Sequence, residues 1–80
     1  MKYTTRGFRA VHAETITEAA FTFAGRAARK RYGRRGHCRS CTPGAYAQDG
    51  RRAEFSAFIG YTTGRNETTG HNITFTVWRG

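Results

Sequence analysis

One stretch of helical periodicity, from about Ile16 to Tyr32, most restricts how this chain can fold. At about 100° per residue, its apolar side chains fill one broad arc and its charged side chains fill the opposite arc. The apolar arc consists of Ile16, Ala20, Phe21, Phe23, Ala24, Ala27, Ala28 and Tyr32. Arg31 falls inside the same arc, so we expect either its side chain to snorkel to solvent or the last turn to fray. A helix with one alanine-rich face is suited to lie close against a sheet.

Both ends of this helix carry boundary signals. The segment Thr15–Glu18 matches a capping box, with Thr15 as the N-cap and Thr17 as the alternative. Gly33 is the residue type that most often follows a helix C-terminus, because it adopts the left-handed conformation without strain.

The other patterns are those of strands. Arg51–Thr63 and His71–Arg79 alternate between apolar and polar side chains, as half-buried strands do. Lys2–Ala13 alternates imperfectly and is predicted to be a single strand with a bulge at Gly7. His37–Thr42 is predicted to be a short strand, and Ala45–Gln48 is predicted to be the other half of an irregular strand.

Turn signals separate these strands. Pro43–Gly44 predicts a turn, Asp49–Gly50 predicts a tight hairpin, and the polar segment Gly64–Gly70 predicts a loop. We therefore predict one α+β domain, residues 1–80, in the order β-α-β-β-β. Its antiparallel sheet has about four strands, with one helix packed on one face. Phe58 and Trp78 would be exposed aromatics on the other face.

Charge is concentrated in the segment Gly25–Arg39, which holds seven of the fourteen Lys and Arg residues of a chain with net charge +9. A merely solvated helix face usually mixes signs, but no acid occurs between Glu18 and Asp49. Twelve of the fourteen basic residues are Arg, whose planar guanidinium binds phosphate or carboxylate through paired hydrogen bonds. We therefore predict a contact surface for an acidic partner. Its residues are Arg26, Arg29, Lys30, Arg34, Arg35 and Arg39, joined by Arg51 and Arg52 from a neighbouring strand start.

Cys38 and Cys41 form a Cys-x-x-Cys motif, which supplies half of a zinc site. Only a fold that brings His12 and His71 to this motif would complete the site. A redox function would require the motif to open a helix, whereas here the predicted helix precedes it. The favoured interpretation is two structural cysteines, with metal binding and redox pairing as the alternatives.

Nothing in the sequence points to catalysis or to a membrane. The five acids are scattered, and no nucleophile elbow, phosphate-binding glycine loop or helical His-Glu pair occurs. We expect no enzyme, no catalytic residue, no metal and no cofactor. No apolar run approaches the roughly 20 residues that cross a bilayer, and the N-terminus lacks the apolar region of a signal peptide. We therefore expect a cytoplasmic protein without a membrane partner.

The last hairpin, Tyr61–Val77, resembles the C-terminal hairpin of small phage-borne anti-CRISPR proteins that act on type I systems. The closest pieces are Asn66–Gly70 and the pattern Phe75-x-Val77. The helix start Ile16–Ala20, its alanine-rich continuation and the overall size are also similar. These pieces cover about a third of the chain. The departure from the family is charge, since the segment after the helix start is far more basic here.

The resemblance implies a helix-on-sheet inhibitor, located in the host cytoplasm, that binds a type I CRISPR surveillance complex (Cascade) and stops it recognising target DNA. Subtypes I-C and I-E are the candidates, and the inhibitor would be a monomer or a homodimer. Its Arg-rich surface would contact an acidic subunit surface or the path of the DNA. The residues themselves leave an alternative, a sequence-nonspecific nucleic-acid-binding domain of a phage or mobile element, in which Phe58 or Trp78 stacks on bases. A structural zinc module is the third possibility.

Overall fold

The computed structural model describes residues 1–46, 51–65 and 67–80. These residues form one α-helix, α1 (Ile16–Tyr32), a 3₁₀ turn (Gly33–Arg35) and the five strands β1 (Lys2–Thr4), β2 (Val11–His12), β3 (His37–Tyr46), β4 (Arg52–Thr62) and β5 (Thr68–Arg79). The strands form one antiparallel sheet in the order β2-β1-β5-β4-β3. The predicted α+β class is confirmed, with five strands where about four were expected.

The N-terminus of α1 is held by the predicted cap. The Thr15 hydroxyl accepts a hydrogen bond from the backbone N–H of Glu18 at 3.1 Å. The Glu18 carboxylate in turn accepts from the backbone N–H of Glu14 at 3.2 Å. Thr15 is therefore the N-cap, and Thr17 lies inside the first turn.

The C-terminus of α1 is also where the sequence predicted it. Gly33 adopts a φ of 77° and donates its N–H to a carbonyl of the preceding turn. Of the two alternatives expected at Arg31, fraying is wrong, because the helix continues through Tyr32. The Tyr32 ring packs against Tyr61 and His71, which anchors the last turn to the sheet. Arg31 points into solvent from an intact turn.

Helix α1 packs on one face of the sheet and forms the core there. Its buried residues are Ala19, Ala20, Phe23, Ala24 and Ala28. The predicted alternation of β4 is confirmed, since Ala53, Phe55, Ala57 and Ile59 are buried on the same side. Phe21 was predicted in the apolar arc, but it is 45% exposed. The buried face of the helix is centred closer to Ala19 than the sequence predicted, so Phe21 lies at its margin.

The predicted single strand Lys2–Ala13 is instead two short strands. β1 and β2 pair antiparallel, with Tyr3 opposite Val11, and the chain reverses between them through Gly7, whose φ is 86°. Thr5 is buried, and its hydroxyl donates to the Thr76 carbonyl at 2.6 Å. The apolar alternation from Lys2 to Ala13 therefore did not reveal the turn, because contacts with β5 fix where the chain reverses.

Strand β3 passes through Pro43–Gly44 without turning, so the turn predicted there is wrong. The strand stays paired with β4 as far as Tyr46, although its register shifts between Pro43 and Tyr46. Proline is tolerated because β3 is an edge strand, where one side of the backbone has no ladder to complete. The hairpin predicted at Asp49–Gly50 lies outside the described residues.

Strands β4 and β5 form the long hairpin that the alternation indicated. Their pairing extends from Arg52 opposite Trp78 to Thr62 opposite Thr68. β5 begins at Thr68, inside the segment Gly64–Gly70 that was predicted to be a loop.

Candidate functional site

Most of the predicted contact residues lie at the C-terminal end of α1. Gly36 holds the 3₁₀ turn that precedes it against the helix. It approaches Ala28 so closely that a Cβ at this position would overlap the Ala28 backbone. We call the cations gathered at this end the helix-end surface. They are Arg26, Arg29 and Lys30 on α1, Arg34 and Arg35 on the 3₁₀ turn, and Arg39 on β3.

Two of these cations also contact the connection between β1 and β2. The half-buried Arg26 donates from Nη1 to the Arg9 carbonyl at 3.3 Å. The ammonium of Lys30 lies 5.6 Å from the centroid of the Phe8 ring, within range of a cation–π interaction. Arg26 and Lys30 therefore have a structural role as well as a charge.

The helix dipole explains part of this charge, but not all of it. Cations in the last helical turn are each stabilised by about 0.3–1 kcal/mol by the partial negative charge of the helix C-terminus. Arg29, Lys30 and Arg31 occupy that turn. The effect falls off within one turn, so it does not account for Arg34 or Arg39. The helix dipole therefore explains the cations of the last helical turn and not those beyond the helix.

Arg39 is the extra residue of a β-bulge. Cys38 pairs with Ile59 on β4, and Ser40 pairs with the adjacent Phe58, so Arg39 has no opposite residue on β4. Residues three apart in a regular strand point to opposite faces. The bulge instead turns both Cys38 and Cys41 toward the helix and leaves Arg39 exposed.

Both thiols lie on the helix side of the sheet, where Cys41 is buried and Cys38 is half-buried. Burial raises the pKa of Cys38. Burial, together with the neighbouring Cys38, raises the pKa of Cys41 to about 11. The thiolate is the reactive form of cysteine, so a raised pKa makes both thiols weak nucleophiles and weak metal ligands at neutral pH. This chemistry favours structural cysteines over a redox pair.

The histidines are not brought to the cysteines as a zinc site would require. His12 pairs with Lys2 in the outermost strand, β2. His71 lies at the opposite end of the sheet from His12, two strands away from Cys38, and its Nδ1 is 2.6 Å from the Tyr32 hydroxyl. Within the described part of the chain, no group of three or more His, Cys, Asp or Glu could hold a metal ion.

The structure does not bring Arg51 and Arg52 to the helix-end surface. Arg52 pairs with Trp78 at one end of β4, whereas the helix end packs on Tyr61 at the other. The stretch of β4 from Arg52 to Tyr61 spans about 30 Å. The reason is antiparallel pairing, which places the start of β4 beside the end of β3 and away from the helix C-terminus.

Cations from distant parts of the sequence gather around Arg51 and Arg52. Lys2, Arg51 and Arg79 line one hollow, and Arg6 lines a neighbouring one together with Trp78. We call this group, with Arg52, the strand-end surface. Sequence reasoning missed Lys2, Arg6 and Arg79, because they are isolated along the chain and strand pairing alone brings them together.

The aromatics expected on the open face of the sheet differ in exposure. Trp78 is 42% exposed, whereas Phe58 is half-buried. Of the two, Trp78 has the ring area that a partner could cover.

Comparisons of the chain with protein-family models, with curated proteins and with solved structures found no match. Among the described residues, no helix is both long enough and apolar enough to span a membrane. The helix-end surface and the strand-end surface are therefore the candidate sites for a partner.

Proposed function

We propose that this protein is a non-enzymatic inhibitor that docks its helix-end surface on a type I CRISPR surveillance complex and blocks recognition of target DNA. The observation that carries the proposal is the concentration of cations at one end of the molecule. Half of the Lys and Arg residues belong to the segment Arg26–Arg39, which contains no acid. Such a surface accelerates association with an acidic surface and disfavours basic partners.

The segment that carries the family resemblance reaches the same end of the molecule. Tyr61 and His71 belong to the hairpin Tyr61–Val77, and both rings pack on Tyr32, at 5.5 and 5.9 Å between centroids. Arg65 is exposed in the hairpin loop. The resemblance and the charge therefore support one docking surface, made from the helix end and the tip of the hairpin.

A sequence-nonspecific nucleic-acid-binding domain is the second candidate. The exposed Trp78 beside Arg52 favours it, because aromatic rings next to cations bind single strands by stacking and charge. The two candidates differ in what they require. The inhibitor needs the surveillance complex, whereas the nucleic-acid-binding domain binds DNA alone, with a steep salt dependence.

The test is a pull-down of purified type I complexes of several subtypes, followed by a target-DNA binding assay. The native protein is expected to co-migrate with at least one complex and to prevent its binding to target DNA. The double variant Arg29→Glu, Arg34→Glu should lose binding by about 100-fold, since each reversed charge costs on the order of 1.4 kcal/mol or more. Both side chains are exposed, so the melting temperature should barely move.

Arg52→Glu is the matched control, because it makes the same charge reversal on the other surface. It should leave co-migration intact. Failure of the native protein to bind any type I complex would sink the proposal. Binding that survives the double variant would remove the helix-end surface from it.

A further inference from the structure

A row of three side chains crosses the open face of the sheet at the strand end. Trp78 stands in the middle, with Thr4 directly opposite it on β1 and Arg52 directly opposite it on β4. Directly opposed residues have Cβ atoms about 4.5–5.5 Å apart, so Arg52 and the indole are immediate neighbours. This row faces away from α1, since the alternate residues Tyr3, Ala53 and Val77 are buried beneath the helix.

The strand residues next to the indole are fixed in the core. Tyr3, next to Thr4 in β1, and Val77, next to Trp78 in β5, are buried in the core. The Thr5 hydroxyl donates to the Thr76 carbonyl at 2.6 Å and so fixes the start of the turn against β5. A ring presented by a paired strand loses little entropy when a partner covers it.

The charges around the indole identify the partner. Arg6 lines the same hollow as Trp78, and Arg52 flanks the ring on the other side. Hydroxyl groups cover the face beyond the ring, at Ser56, Thr74 and Thr76. Cations and hydroxyls bind phosphates, and an exposed indole stacks on a base. An acidic protein surface is the competing partner, since Trp and Arg are also frequent anchors of protein interfaces. Stacking on a base between two phosphates uses the ring and both flanking cations together.

The exposed ring also favours a single strand over a duplex. The bases of a duplex are stacked on each other, so their faces are not available to a side chain on a flat sheet. The bases of a single strand are available, and stacking on an aromatic side chain tolerates any sequence.

We propose that the strand-end surface binds single-stranded nucleic acid, with Trp78 stacking on a base and Arg6 and Arg52 contacting the flanking phosphates. Glu54 lies two residues from Arg52 on the same face of the sheet. Its negative charge opposes binding of the phosphate backbone of a nucleic acid. The proposal deepens the second candidate function and does not rest on the proposed inhibitor function. Trp78 and Arg52 lie at the opposite end of β4 from Tyr61, on which the helix end packs.

The experiment uses the single tryptophan of the chain as a probe. The intact protein is titrated with an oligonucleotide of about eight thymidines, a length within one site of known single-strand binders. Trp78 fluorescence should be quenched on binding. By anisotropy of a labelled oligonucleotide, Trp78→Ala should weaken binding by about tenfold or more, and Trp78→Phe should restore most of it.

Charge variants test the phosphate contacts. Arg52→Ala should weaken binding and lower the slope of log affinity against log salt by about 0.7, the value for one lost phosphate contact on a single strand. Glu54→Gln should strengthen binding by removing the opposing charge. Arg34→Glu, on the helix-end surface, should change the affinity by less than about twofold, since it lies beyond the Debye length.

Three results would overturn the proposal. The first is an affinity for the oligonucleotide that Trp78→Ala leaves unchanged while the variant keeps its melting temperature. The second is equal affinity for a duplex of the same length. The third is equal quenching by poly-glutamate, which would identify the surface as a site for acidic protein.

Discussion

The helix-end surface and the strand-end surface lie at opposite ends of β4 and are assembled in different ways. The helix-end surface comes from one continuous stretch, Arg26–Arg39, whose cations are positioned by a capped helix and the turn after it. The strand-end surface draws on the chain start, the start of β4 and the chain end, which pair as neighbouring strands. Clustering along the sequence therefore reveals the first surface and conceals the second.

The two surfaces also differ in chemistry. The helix-end surface presents Arg with little exposed aromatic area, since Phe8 lies under Lys30 and Tyr32 packs on the sheet. The strand-end surface presents Trp78 among its cations. Charge alone accelerates association with an acidic surface, whereas charge beside an open ring is the pattern of sites that bind single strands. The difference teaches that net charge does not identify a partner until the neighbouring side chains are known.

The largest effect is expected at Gly36, which holds the turn of the helix-end surface. Gly36→Val should lower the free energy of unfolding by about 3 kcal/mol, the upper range for forced overpacking. Its Cβ would overlap the backbone of Ala28, which cannot yield as a flexible side chain does. Urea denaturation gives the free energy, and co-migration with the type I complex should weaken in parallel as Arg34 and Arg35 are displaced.

Gly33→Ala is the matched control for Gly36→Val. No atom lies within 4 Å of a Cβ at Gly33, so the cost comes from its φ of 77° alone. We expect a loss of about 2 kcal/mol, because a φ of 77° with a ψ of −157° lies in a region that essentially only glycine occupies. Equal losses in the two variants would show that close packing at Gly36 does not position the helix-end surface.

A smaller effect is expected at Thr5, which fixes the base of the strand-end surface. Thr5→Val removes the donor to the Thr76 carbonyl and should cost about 1–2 kcal/mol, because that carbonyl is left without its partner. Oligonucleotide binding should weaken, whereas co-migration with the type I complex should not. Thr42→Val is the control, since its exposed hydroxyl makes only a 3.4 Å contact with the Ser56 carbonyl. Equal losses in both variants would argue against a specific role for Thr5.

The smallest effect is the coupling between the surfaces. In a double-mutant cycle of Arg34→Glu and Arg52→Glu, oligonucleotide affinities should be additive within about 0.5 kcal/mol. Arg34 and Arg52 lie toward opposite ends of β4, farther apart than the Debye length of about 8 Å at physiological salt. A larger coupling would mean that one continuous surface binds the nucleic acid, and the distinction between the two would fail.

Local signals in the sequence predicted the elements whose limits are set locally. The Thr15 cap and Gly33 bound α1 through hydrogen bonds within a few residues, so both ends were found. The alternation in β4 was read correctly because burial on one face imposes a period of two. The same reasoning failed at Pro43–Gly44, whose turn preference is overridden by pairing with β4.

The site was predictable to the same extent. The cations on α1 and the turn after it could be placed together, since helical spacing sets their neighbours. Arg51 and Arg52 were assigned to that group because they start a strand, but the direction of the strand decides which end of the sheet they reach. The partner-binding roles of all these residues stay predictions.

By itself, the sequence determined a capped helix with one apolar face, two alternating strands and an excess of arginine without acids nearby. These properties depend on hydrogen bonds, side-chain period and charge, all of which act over short stretches of chain. Only the tertiary structure decided where residues 2–13 reverse, which strand forms each edge and where Trp78 meets Arg52. Those outcomes depend on pairing between residues far apart in the chain, and local patterns do not encode which strands become neighbours.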